Sequence, residues 1–124
     1  MTWEFNNNEP IYKQLVDQLK LRIVSGLIEP GSRLTSVREL AQEAGVNPNT
    51  IQRALAELER DGLVYSQRTA GRYVTEDIEL IKNMRDSYAQ EKIKELTTAL
   101  MHLGYTRDEL ITLINDFLKE VGSK

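Results

Sequence analysis

A mainly α fold carrying one small β-hairpin is what this sequence predicts, on three observations. Apolar residues recur at helical spacing over most of the chain. Caps or prolines mark the helix starts, and glycines mark the stops. A single stretch, residues 63–75, holds two short β-prone runs around a turn.

The first helix begins at Pro10, whose missing N–H suits a first turn. Ile11, Leu15, Leu19 and Ile23 then recur every fourth residue, with Tyr12 and Val16 beside them, and the helix ends near Gly26. Glu29-Pro30-Gly31-Ser32 has the pattern of a type II turn. Ser36 and Glu39 are spaced as a capping box, so a second helix starts there. Leu40 and Ala41 form its buried side, and Gly45 is a left-handed stop. Asn47 caps a third helix with Pro48 at its first position. Ile51, Ala54, Leu55 and Leu58 make its apolar stripe, and Gly62 ends it.

Leu63–Gln67 and Arg72–Thr75 are the strand runs, and Arg68–Gly71 is the hairpin tip. Three helices and a hairpin in this order make a winged helix–turn–helix over residues 1–75. That arrangement aims its third helix at the DNA major groove.

Residues 76–124 read differently, as a C-terminal two-helix hairpin suited to dimerisation. Asp77 to Leu103 predicts a long helix, with Ile81, Met84, Tyr88, Ile93, Leu96, Leu100 and Leu103 roughly on one side. Gly104 stops it, and Thr106 with Glu109 is a second capping box. Leu110, Ile111, Leu113, Ile114, Phe117, Leu118 and Val121 cover more than half of the last helix. One neighbouring helix cannot cover so wide a face. A second copy of the chain is therefore expected against Tyr88, Leu96, Leu100, Leu110, Ile114, Phe117 and Leu118.

Composition sets the bounds. The chain has 124 residues, 40% hydrophobic and 28% charged, as a globular protein has. It contains no cysteine, which removes disulfides and thiolate metal sites and fits a reducing compartment. No run of about 18 apolar residues occurs, so no membrane span is expected. The first residues carry neither the basic nor the apolar region of a secretion signal, so a cytoplasmic location is expected. The net charge of −3 argues against a generic nucleic-acid binder. The acidity lies in the tail, however: residues 1–75 hold nine Lys/Arg and nine Asp/Glu, and residues 76–124 hold seven and ten. A neutral module of this kind predicts modest non-specific affinity that depends on salt.

The polar side chains at the start of the third helix are the candidate site. Asn and Gln are the residue types that read adenine, so Asn47, Asn49 and Gln52 suit adenine contacts. Asn47 has a competing role as the helix cap, whereas Asn49 and Thr50 have no structural duty. Gln52 and Arg53 fit a solvated face equally well. Arg38 sits in a first turn, where its charge opposes the helix dipole. An anionic partner explains that placement; a salt bridge to Glu39 or Glu43 is the plain alternative. Arg33 suits a phosphate contact or a bare surface. Arg68 and Arg72 flank the wing, and Gly71 lets backbone approach a phosphate or simply makes the turn. Trp3 and Phe5 are expected to lean on the winged module or on a partner chain. His102 is suited to its helix C-terminus rather than to a metal. No catalytic set, phosphate loop or zinc spacing occurs, so neither enzyme nor cofactor is expected.

These residues together resemble the GntR family of bacterial transcription regulators. The resemblance rests on Pro10-Ile11-Tyr12, Gln14-Leu15, Gly26, Gly31, Leu34, Ser36, Arg38, Leu40-Ala41, Gly45-Val46, Thr50-Ile51, Ala54-Leu55, Leu58, Gly62-Leu63, Gly71 and Tyr73-Val74. It covers about residues 10–75. The short tail is similar to that of the small YtrA-type branch, which dimerises through such a hairpin. The resemblance implies DNA contacts from Arg38, from Asn47, Asn49, Thr50, Gln52 and Arg53, and from Arg68, Gly71 and Arg72 of the wing. It implies a homodimeric repressor on a palindromic double-stranded operator, controlling a transporter operon and its own gene. A small-molecule effector is compatible with it. Pro48 departs from the pattern where many members carry a guanine-reading Arg, and Thr69 stands where a first wing glycine is usual. The competing expectation is a winged protein–protein module that does not bind DNA.

Overall fold

A computed structural model describes residues 3–68 and 70–122; the expectation at Thr69 lies outside them. In chain order the elements are α1 (Ile11–Val24), α2 (Val37–Ala44), α3 (Pro48–Arg60), β1 (Val64–Gln67), β2 (Gly71–Val74), α4 (Ile78–His102) and α5 (Arg107–Gly122). They divide into two compact units, residues 1–85 and 86–124.

The first unit is built around α3, which packs on α1, α2 and β1. Its stripe of Ile51, Ala54, Leu55 and Leu58 is fully buried among Leu15, Leu19 and Ile23 of α1 and Leu40 and Ala41 of α2. Local chemistry sets the helix ends. Pro10 is the residue just outside α1 rather than inside its first turn, and its carbonyl accepts from Lys13 and Gln14. Ser36 Oγ accepts from Glu39 N at 3.1 Å, so the Ser half of the expected capping box forms. Gly45 closes α2 at φ +69°. α3 ends in a Schellman motif: Leu63 N donates to Leu58 O, and Gly62 N donates to Glu59 O.

β1 and β2 pair antiparallel, with Val64 opposite Val74 and Ser66 opposite Arg72. Val64 and Val74 enter the core. Residues 31–34 flank the outer side of β2: Leu34 N donates to Arg72 O, and Val74 N donates to Ser32 O. Gly31, at φ +78°, supplies the left-handed position of the preceding type II turn.

Residues 3–9 form an arm on α1. Gln14 is buried; its Nε2 donates to the carbonyls of Asn6 and Glu9, and its Oε1 accepts from Asn6 N. Trp3 and Phe5 pack on the core, and Arg22 lies 3.6 Å from the Trp3 ring centroid. The unit runs past Thr75 to Arg85 because Ile81 and Met84 join the same core.

The second unit holds the rest of α4 and α5. The Thr106–Glu109 capping box is complete, each residue bonding the other's backbone N–H. Among the described residues of this unit, Leu110 alone is buried. Phe117 is 63% exposed and Leu118 58%. The two helices thus cover little of each other's apolar surface within one chain.

Leu55 belongs to the core cluster that α1, α2 and α3 share, and it is 1% exposed. Leu55→Ala is expected to lower the unfolding free energy by about 2–5 kcal/mol, read from the urea midpoint.

Candidate nucleic-acid interface

The tip of α3 is organised by its cap. Asn47 Oδ1 accepts from Asn49 N at 2.8 Å, and Pro48 follows at the first helical position. This bond satisfies one of the N–H groups that every helix start leaves open. Asn47 is therefore occupied structurally on its oxygen side. The Asn49 side chain is exposed and bonds no other described residue. Thr50 is half-buried beside it.

Arg38 projects from the first turn of α2. It is exposed, and it forms no ion pair or side-chain hydrogen bond among the described residues. The bridges that Glu39 and Glu43 would allow are not made. A cation that opposes the helix dipole and has no internal partner is a group suited to an external anion.

Two predicted contacts are tied down inside the unit. Arg53 stacks its guanidinium 3.7 Å from the Tyr12 ring centroid, which holds it against α1. Arg72 is the more important case. Its Nε donates to Glu59 Oε1 at 2.7 Å, and a terminal guanidinium nitrogen donates to Gln52 Oε1 at 2.9 Å. Ser66, opposite Arg72 in the ladder, donates its hydroxyl to the same Glu59 oxygen at 2.6 Å. Arg72 thus joins the wing to α3 instead of flanking the wing as a free cation. Arg68 remains exposed at the tip, bonding no described residue.

On the opposite face of the hairpin Tyr65 and Tyr73 stack, with centroids 5.9 Å apart. Gly71 has φ +95°, and a Cβ there would meet the Arg33 guanidinium at 3.4 Å. Arg33, Ser36, Glu39, Gly71 and Arg72 line a groove of about 490 Å³ between the wing and the start of α2. This groove brings Arg33 to the wing glycine.

Sequence reasoning missed the part played by Glu59, Ser66 and Tyr12. Their partners are remote in sequence, and none lies in a recognisable motif. A weak signal existed for Glu59: it stands two turns after Gln52, on the same side of α3.

Comparison with known proteins gives the following. Residues 11–74 match the family described as bacterial regulatory proteins, gntR family. The HTH-type transcriptional regulator YhcF of Bacillus subtilis (strain 168) is 37% identical over 114 residues, which is 92% of this chain and 94% of YhcF. The HTH-type transcriptional repressor YtrA of the same organism is 31% identical over 118 residues, 94% of this chain and 88% of YtrA. The solved structure of a GntR family transcriptional regulator from Listeria monocytogenes superposes with a TM-score of 0.84 at 38% identity, covering 90% of this chain and 98% of that one.

The Ser66 and Arg72 hydrogen bonds hold the Glu59 carboxyl below the usual carboxylate range, against a smaller opposing effect of burial. A folded pKa below the unfolded one means stabilisation above the ordinary carboxylate range, lost as pH falls through the lowered value. The pair is partly exposed, so the effect is small. Glu59→Gln is expected to cost about 0.5–1 kcal/mol at neutral pH in urea titrations, with the gap closing in acid.

Proposed function

The chain belongs to the gntR family of bacterial regulatory proteins, with relatives of the small YtrA-type branch, and from that premise we propose that it is a homodimeric repressor of a palindromic operator. It is a winged-helix transcriptional regulator of the DNA-binding type and not an enzyme. Among the described residues no helix is long and apolar enough to cross a membrane.

The observation that carries the operator reading is the unpartnered polar tip. Arg38 and the Asn49 side chain, at the starts of α2 and α3, bond nothing described within the chain. Arg38 is assigned to a phosphate or a guanine edge, and Asn49 to a base edge. Thr50, Gln52, Arg68 and the Gly71 backbone complete the surface. Asn47 serves chiefly as the cap, and Arg53 and Arg72 serve chiefly as braces.

The dimer reading rests on the second unit. Ile114, Phe117 and Leu118 of α5 and Leu96 of α4 are exposed, while Tyr88 and Leu100 are half-buried. A run of large apolar side chains left in water at this density favours self-association. Leu110 is already buried within its own chain, so it supports α5 from behind instead of joining that surface. A two-fold axis would place two α3 helices on half-sites about one helical turn apart, or a small multiple of that. Repression follows from occupying a promoter. By likeness to the branch, the targets are a transporter operon and the protein's own gene, bound in the cytoplasm.

The direct test is a gel shift with the DNA flanking its own gene, repeated across salt. Binding that weakens with salt supports the reading; indifference to every native duplex would leave a protein–protein module instead. Arg38→Ala is expected to weaken specific binding by about 1–3 kcal/mol with an unchanged melting temperature. Asn49→Ala should relax preference at one or two base pairs. Phe117→Asp combined with Leu118→Asp is expected to convert the sedimenting dimer to monomer, and a species that stays dimeric would remove α5 from the interface.

A further inference from the structure

We propose that Arg72 is a positioning residue that turns Gln52 from an adenine reader into a hydrogen-bond donor selective for guanine. The inference rests on the DNA-binding reading above and adds to it the base that Gln52 selects.

An arginine side chain has donors and no acceptor. The Gln52 atom 2.9 Å from its terminal nitrogen is therefore the amide oxygen, and the direction of that amide is set. Reading adenine with Gln needs oxygen and NH2 aimed together at one base edge, the oxygen accepting from N6 and the NH2 donating to N7. Here the oxygen is turned toward the wing, and Nε2 donates to no other described residue. The group left for DNA is an NH2 with two hydrogens. In the major groove guanine presents two adjacent acceptors, O6 and N7. Adenine sets a donor beside its N7, and thymine sets a methyl beside its O4. Guanine is thus the edge that matches a pure donor.

The orientation holds only if Arg72 cannot follow Gln52 or swing to a phosphate. Glu59 prevents both. Its carboxylate takes Arg72 Nε at 2.7 Å in a charge-assisted bond, and Ser66 at 2.6 Å fixes the carboxylate in turn. Gln52 and Glu59 lie two turns apart on α3, so one planar guanidinium spans both from a single position on β2.

The test is selection from a randomised duplex library by the full-length protein, the Arg72→Ala, Gln52→Ala and double variants, followed by titration on the selected sites. Wild type is expected to prefer guanine at one base pair of each half-site, with adenine there weakening binding roughly tenfold. Arg72→Ala should shift that position toward adenine, and Gln52→Ala should remove its preference. The double variant should match Gln52→Ala, since Arg72 acts through Gln52. Glu59→Gln, which keeps Arg72 but loosens it, should shift the same position partway and serves if Arg72→Ala melts early. Variants that bind with the wild-type base preference at every position would overturn the proposal while leaving operator binding intact. A wild-type protein that enriches no sequence would overturn both.

Discussion

The burial of one side of α3 is the constraint on which the rest depends. Ile51, Ala54, Leu55 and Leu58 recur at helical spacing and are all removed from water. Taking that much apolar surface out of water supplies several kcal/mol, far more than any single polar bond nearby. The burial fixes the rotation of α3 about its own axis. Once that rotation is set, Asn49 and Gln52 have to face outward and Glu59 has to face the hairpin. The candidate functional surface is thus the remainder of a packing problem.

Most of the fold was legible because its signals are local. Asn47-Pro48 marks a helix start through a side-chain bond spanning two residues. Gly45, Gly62 and Gly104 mark stops through backbone conformations that other residues adopt at a cost. The hairpin followed from two β-prone runs around Gly71. The small errors have the same origin: Pro10 suits a cap as well as a first turn, since either position lacks a use for its N–H. The unit's extension to Arg85 was less visible, because the long apolar pattern of α4 does not say which residues meet the core and which meet something else.

The candidate site was legible in its residue types and illegible in its pairings. Arg72, Arg38, Arg53 and Arg68 are alike in sequence: exposed-looking cations near a turn or a helix start. Their neighbours in space separate them. Arg72 meets a carboxylate from another element, Arg53 meets the face of Tyr12, and Arg38 and Arg68 meet no described residue. Such pairings span a dozen residues or more, and no periodicity encodes them. Arginine on a hairpin is therefore weak grounds for a DNA contact until its internal partners are known.

The brace also changes how affinity and specificity divide across the site. On the proposed operator reading, a cation held by Glu59 brings little net charge to a phosphate, and the electrostatic pull near the wing falls mainly to Arg68 and to Arg33 beside Gly71. Residues 1–75 have no net charge of their own to add. A module without net charge gains modestly from counterion release, and on the proposed operator reading its discrimination against non-specific DNA comes from fitted contacts. Rigidity then matters more than charge. A wing fastened to α3 through Arg72 has its spacing already set, so on the proposed reading less ordering entropy is lost when a duplex binds.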